Sequence, residues 1–178
     1  HFPFAGKEMP EKFFTTAQYN SWMQVTYNPT QEKVLEYAHG IIEHGFEPGI
    51  LIIDEGWHTR YGQWKFDFAK FPDPKGMIDE LHKMGFTVML WVVPIVTADG
   101  RGYLGIEGEA KFLKRKWEES PLLKTDKGEV ALVRWWNGYS AVLNLCLPSA
   151  KEYLAFVDSI STSGERITYE EDGATVKF

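Results

Sequence analysis

The sequence predicts an α/β fold built around a parallel sheet. Three observations carry the prediction. Continuous apolar runs of strand length recur along the chain, as in strands covered on both faces. Each main run follows an amphipathic helical stretch opened by capping residues and closed by glycine. The resulting βαβαβ order implies right-handed crossovers and therefore parallel neighbours.

Taken in order, a first strand is expected over Trp22–Thr26. Asn28-Pro29-Thr30-Gln31 then reads as a helix start, with Asn28 as the cap, Pro29 at the first helical position and Gln31 able to reach back. Val34, Ala38, Ile41 and Ile42 share a face at helical spacing, and Gly45 supplies a left-handed stop. Ile50–Ile53 is the next strand, closed by Asp54. The same grammar repeats with Asp73-Pro74, the apolar face Met77, Ile78, Leu81 and Met84, the stop Gly85, and a strand over Thr87–Val93. A long excursion follows, about residues 96–138, with a helix expected over Glu109–Glu119 and a turn at Lys127-Gly128. In barrels the side where strands end is the functional face. Ser149–Ser159 reads as a helix. Around Asp172-Gly173 the residues allow a hairpin or a loop leading into a strand over Ala174–Phe178.

Composition narrows the function. In 178 residues, 44% are hydrophobic and 25% charged, an ordinary globular balance that fits one domain. A net charge of -6 argues against nucleic acid, whose binders need a basic stripe. The cluster from Lys111 to Lys116 is broken by Phe112 and Leu113 and reads as a solvated helix face. No apolar run approaches a membrane span, and the N-terminal residues lack a leader pattern, so neither compartment nor membrane contact is indicated. The single cysteine, Cys146, allows no intrachain disulfide and is expected as a buried thiol. Seven Trp, eight Tyr and twelve Phe make aromatic residues 15% of the chain; many sit beside Gly, Pro and polar residues, a pattern shared by sugar-binding loops and large cores.

The chemistry gathers at strand ends. Asp54 and Glu55 close a buried strand and run into Gly56, Trp57 and His58. Carboxylates bind sugar hydroxyls by charge-assisted hydrogen bonds, and an indole covers the apolar face of a pyranose. The alternative is a capped loop with Trp57 packed beneath it. Trp91 can point inward from the next strand or belong to the core. Trp135-Trp136-Asn137-Gly138-Tyr139 is either a sugar platform or the packing of the excursion on the barrel. The histidines form no metal constellation, and a metal on Asp54, Glu55 and His58 would lack a second histidine at ligand spacing.

The segment QYNSWMQVTYNPTQEKVLEYAHGIIEHGFEPGILIIDEGWHTRYGQWKFDFAKFPDPKGMIDELHKMGFTVMLWVVPIV is similar throughout to the start of the catalytic barrel of glycoside hydrolase family 31. RWWNGYSAVLNL resembles its bacterial and myogenesis-regulating-glycosidase branch, and the resemblance runs over about Phe13–Tyr153. It implies that residues 1–178 form the first half of a (β/α)8 TIM barrel in a retaining α-glycosidase, α-glucosidase-like, with a carbohydrate partner and no metal or organic cofactor. It makes Asp54 the carboxylate that binds the sugar in the cleaved subsite, with Trp57 and Trp91 lining that pocket; Glu55, Trp135 and Trp136 join as substrate-binding candidates from residue type and position alone. Lys177-Phe178 would open the K-x-D motif of the nucleophile, which with the acid/base would lie beyond Phe178. That places the last strand at Ala174–Phe178 and leaves the 178 residues inactive alone, with exposed strand edges open to self-association. Asn144-Leu145-Cys146-Leu147-Pro148 departs from the family's D-L-T-N-P. The related α-galactosidases also carry a strand end like IDEGW, and a non-catalytic carbohydrate-binding domain is the rival of a different class.

Overall fold

A computed structural model describes residues 10–62, 64–97 and 120–150, together with the backbone of 169–171 and 174–176. The elements are α1 (Lys12–Thr15), β1 (Gln18–Asn20), α2 (Trp22–Val25), α3 (Gln31–Glu43), β2 (Ile50–Ile53), α4 (Pro74–Lys83), β3 (Thr87–Leu90), β4 (Ile95–Thr97), β5 (Leu132–Trp135), β6 (Gly138–Val142), β7 (Tyr169–Glu171) and β8 (Ala174–Val176).

β1, β2 and β3 form a parallel sheet in chain order, with Asn20 level with Ile52 and Ile53 level with Leu90. This is the arrangement that the repeated helix-to-strand grammar demanded, with one shift. The first strand is Gln18–Asn20, and the expected strand at Trp22–Thr26 is instead a helical turn. The reason is local: the Asn20 side chain accepts the Trp22 N–H at 2.8 Å, turning the chain out of the sheet just after β1. The third strand also ends early, at Leu90, although the Trp91 N–H still donates to the Ile53 carbonyl at 3.0 Å.

Both crossover helices form where expected, with a different first cap. Thr30, not Asn28, accepts the Lys33 N–H at 3.3 Å, and Pro29 precedes the helix, packed where a side chain on Gly56 would collide with it. Gln31 does not reach back. Its side-chain oxygen accepts the Asp73 N–H at 2.8 Å and so ties the start of α3 to that of α4. Asp73 caps α4 through the Gly76 N–H at 2.9 Å. The helices lie side by side, with His39 meeting Glu80 at 3.2 Å. Val34, Ala38 and Ile41 of α3 and Met77, Ile78 and Leu81 of α4 share one core with Leu51, Ile53 and Leu90. Gly45 and Gly85 stop the helices at φ of 80° and 96°.

The excursion folds back as an antiparallel sheet in the order β4-β6-β5. The Lys127-Gly128 turn forms, closed by the Thr125 N–H to Glu129 carbonyl bond at 2.8 Å. β5 and β6 are joined at Trp136-Asn137, and Gly138, level with Trp135, takes φ of 88° just after the turn. Cys146 is exposed, contrary to expectation. Asn144 accepts the backbone N–H groups of Cys146 and Leu147, and the turn so made lifts the thiol outward. The hairpin alternative holds at the C-terminus: β7 and β8 pair antiparallel, Glu171 opposite Ala174, in a sheet of their own. The strand expected to lead into the K-x-D motif is therefore the second arm of a hairpin and not a member of the parallel sheet. Pairing β7 with β8 satisfies backbone groups of both strands locally, which a lone fourth strand could do only against the sheet. The helix expected over Glu109–Glu119 lies outside the described residues; of the one at Ser149–Ser159, residues 148–150 are helical and the rest also lies outside them.

Candidate functional site at the ends of the parallel strands

Side chains alternate along each strand, so Leu51, Ile53 and Leu90 face the helices while Ile52 and Met89 face the other way. Continuing that register past the strand ends puts Asp54 and Trp91 together on the face away from the helices, both half-buried. Asp54 is fixed from three sides. Its Oδ2 accepts the Asn20 amide at 2.7 Å, its Oδ1 accepts the Glu55 N–H at 2.7 Å, and its own N–H donates to the buried Ser21 hydroxyl at 2.9 Å. A carboxylate offers about four lone-pair sites, so roughly two stay available to a ligand. Asn20 and Ser21 reach Asp54 because β1 ends where β2 ends.

Glu55 and Trp136 meet across the rim. The Trp136 side chain comes close enough to the Glu55 carboxylate to favour its charged form, which brings the tip of the β5–β6 hairpin to the end of β2. Burial raises the Glu55 pKa, the neighbouring Asp54 charge raises it further, and the Trp136 side chain opposes both. Trp136 is 68% exposed. It lies 6.3 Å from Trp91 and 4.8 Å from Trp135, whose own N–H is held by the buried Ser140 hydroxyl at 3.1 Å. Asp54, Glu55, Trp91, Trp135 and Trp136 thus lie near one another at this rim.

Trp57 does not join them. Its ring is fully buried and its N–H donates to the Trp91 carbonyl at 2.8 Å. It supports the rim from beneath and lines no sugar pocket, because Gly56, at φ of 94°, turns the chain inward and the indole finds its one partner there. Lys177 lies outside the described residues.

Beyond Glu55 lies a cavity of about 680 Å³, walled by His58 and Tyr61 of the loop after β2, by Thr97 of β4, and by Asn137 and Tyr139 of the hairpin. The sequence sets Asn137 and Tyr139 in a candidate sugar platform and His58 at the rim, but nothing in it joins them with Tyr61 and Thr97 in one cavity. His58 stands out. It is 7% exposed, ringed edge-on by Trp57, Tyr61 and Trp64 at 4.9–5.6 Å, and neither ring nitrogen has a partner among the described residues. Burial first, then the Lys70 charge, lowers its pKa to about 4, so the imidazole is neutral near pH 7. Each buried, unpaired polar group costs about 1–3 kcal/mol. Trp64 adds a second such group in its indole N–H, and its φ of 42° is strained for a non-glycine residue. A lone histidine between aromatic residues gave no sequence signal of this; the burial arises only when Tyr61 and Trp64 fold over it.

The barrel model of glycosyl hydrolases family 31 matches residues 7–167. Among curated proteins, the myogenesis-regulating glycosidase of Mus musculus is 38% identical over 124 residues, covering 69% of this chain and 16% of that protein. The α-xylosidase XylQ of Lactiplantibacillus pentosus is 23% identical over 172 residues, covering 88% of this chain and 21% of its own. The chain thus spans about a fifth or less of these relatives. In fold, a family 31 α-xylosidase from a soil metagenome, complexed with xylose, superposes with a TM-score of 0.68 at 23% identity, over 86% of this chain and 20% of the other. The α-galactosidase of Thermus thermophilus gives a TM-score of 0.68 at 18% identity, over 84% and 29%. With the parallel β1-β2-β3 sheet, these matches identify the chain as part of a TIM barrel, and it belongs to glycoside hydrolase family 31.

Proposed function

We propose that the chain supplies the sugar-recognition side of the active site of a retaining α-glycosidase that removes terminal α-linked sugars, α-glucosidase-like in preference. One observation carries this reading: a half-buried carboxylate, Asp54, stands at the end of a central parallel strand, held by Asn20 and Ser21 with lone pairs to spare and an indole beside it. Fixed carboxylates next to aromatic faces suit the hydroxyls and apolar face of a pyranose. Trp91 and Trp136 provide the faces, and Glu55 the neighbouring wall. Retaining hydrolysis needs two carboxyl groups about 5 Å apart across the scissile bond, one the nucleophile and one the acid/base. Asp54 is assigned to neither; both belong to the barrel beyond these 178 residues, and the 178 residues alone bind sugar without hydrolysing it. The outer edges of β1 and β3 have no strand partner among the described residues, so the isolated 178-residue chain should self-associate, read as a concentration-dependent mass by light scattering.

The test uses the full-length protein with p-nitrophenyl α-glucoside, α-xyloside and α-galactoside, following the first-formed anomer by proton NMR. Cleavage with the α-anomer appearing first supports the reading, and preference for the glucoside supports its finer part. Preference for the galactoside selects the α-galactosidase alternative. A β-anomer first overturns the retaining mechanism, and sugar binding without cleavage of any member favours a carbohydrate-binding domain.

A further inference from the structure

We propose that Asn20 is a positioning residue for the proposed reaction: the turn after β1 locks its side-chain amide so that the NH2 end faces Asp54 and holds that carboxylate in the orientation that receives the sugar. The inference rests on the sugar-binding reading of Asp54 and carries it one step back, to what makes Asp54 rigid.

The strand register puts Asn20 in place. Asn20 is level with Ile52 on the neighbouring strand, and Asp54 stands two residues beyond Ile52, so both side chains lie on the sheet face away from the helices. An asparagine amide has a donor end and an acceptor end, and only the donor end attracts a carboxylate. Here the backbone makes the choice. The Trp22 N–H, at the start of α2, donates to Asn20 Oδ1 at 2.8 Å, which leaves Asn20 Nδ2 to donate to Asp54 Oδ2 at 2.7 Å. The reversed amide would set donor against donor and oxygen against carboxylate, losing both bonds.

The turn is itself held at both ends. Next to Asn20, the buried Ser21 donates its N–H to the Ile52 carbonyl at 2.9 Å, and its hydroxyl accepts the Asp54 N–H. At the far end Tyr27 and Pro29 lie against Gly56, where an added Cβ would stand 3.2 Å from the Tyr27 carbonyl oxygen and 3.0 Å from Pro29 Cδ. Between the two anchors Thr26 sits at φ of 47° and ψ of -127°, a region that residues other than glycine rarely adopt, and the N–H groups of Thr26 and Asn28 donate back to the Trp22 and Val25 carbonyls at 3.1 Å. A residue persists in such a conformation only where its surroundings over-determine it. The turn is thus a rigid mount, and Asn20 transmits its position to Asp54.

Replacement by aspartate separates the two contacts of Asn20. Asn20→Asp keeps an oxygen for the Trp22 N–H and so keeps the turn, but it faces Asp54 with a second carboxylate in place of a donor. In acid one of the pair takes up a proton and donates it to the other, and the hydrogen bond returns. The charged groups around Asp54 among the described residues, Glu55 beside it and Lys70 on the Gly56 carbonyl, are common to both proteins, so the ratio of variant to wild type isolates the exchange. With the full-length protein and the aryl α-glycoside that wild type cleaves best, kcat/KM of Asn20→Asp should fall at least about tenfold at about pH 7, as for a lost hydrogen bond to a charged group, and the deficit should shrink severalfold by about pH 5. Asn20→Ala adds no charge and carries the test if the aspartate variant does not fold. It should cost about tenfold in the wild-type background but less than about twofold in an Asp54→Ala background, because a residue acting through Asp54 then has nothing left to position, whereas a purely structural role would cost the same in both. A deficit of Asn20→Asp that does not change with pH, or an Asn20→Ala loss equal in both backgrounds, overturns this inference alone. If Asp54→Ala leaves turnover intact, the sugar-binding reading fails and this inference with it.

Discussion

Acid should loosen the protein through His58, and replacing that residue by phenylalanine should remove the effect. The imidazole is buried among Trp57, Tyr61 and Trp64, its ring nitrogens without a partner among the described residues, and burial, chiefly, lowers its pKa from the usual 6.5 to about 4. Above pH 6.5 it is neutral folded and unfolded, so it contributes nothing to the pH dependence. As pH falls from 6.5 to 4 the unfolded chain takes up the proton and the folded chain does not, so stability is lost across that window and the loss is complete below it. At about 1.36 kcal/mol per pKa unit the full loss is roughly 3 kcal/mol, a large share of the 5–15 kcal/mol of a typical domain. Glu55 acts in the opposite sense, since a raised carboxyl pKa makes the folded state the better proton acceptor as pH falls. Comparing wild type with His58→Phe cancels that contribution, because both proteins keep Glu55. Urea unfolding of each at about pH 7 and about pH 4 reads the difference. The variant should match or exceed wild-type stability at neutral pH, having lost two unpaired nitrogens, and should exceed it by roughly 3 kcal/mol more in acid. An identical difference at both pH values would refute the buried neutral imidazole.

Two further outcomes follow from the same region. Gly62→Ala should destabilise by roughly 2–5 kcal/mol in the same assay, because φ is 88° and an added Cβ would lie 2.7 Å from Cγ1 of Val96, so strain and overpacking combine. Trp136→Phe should raise the Glu55 pKa, since it removes a contact that favours the charged carboxylate; a carbon-13 titration of the glutamate carboxyl would show the midpoint move up, and a fall or no change would contradict the contact.

The parallel core was legible because its signals are local. Ile50–Ile53 is apolar at every position and Asp73-Pro74 and Gly85 punctuate their helix, so order and direction followed without tertiary information. β1 was misplaced because Gln18-Tyr19-Asn20 is short and half polar; what makes it a strand is pairing with β2 next to Gly49, whose bare backbone admits Ala17. Thr30 won the cap over Asn28 because Pro29 is buried before the helix begins. Asp54 and Glu55 stood out by residue type at a strand end, whereas Trp91 was a candidate only through the family resemblance and Trp135 and Trp136 read almost equally as packing. Whether a tryptophan faces a ligand or the core depends on the turn at Gly56, and Trp57 went inward. The cavity was invisible because its walls come from three separate segments that the sequence does not relate.

The central claim is that Asp54 holds the sugar. The most direct measurement is kcat/KM of the full-length protein and its Asp54→Ala variant on the activated aryl α-glycoside that the wild type cleaves best, with folding of both checked by circular dichroism. Each charge-assisted hydrogen bond to a hydroxyl is worth about 1.5–3 kcal/mol, so a loss of at least about tenfold is predicted, and over a hundredfold if both available lone pairs are used. Turnover within about twofold of wild type, from a folded variant, would contradict the account.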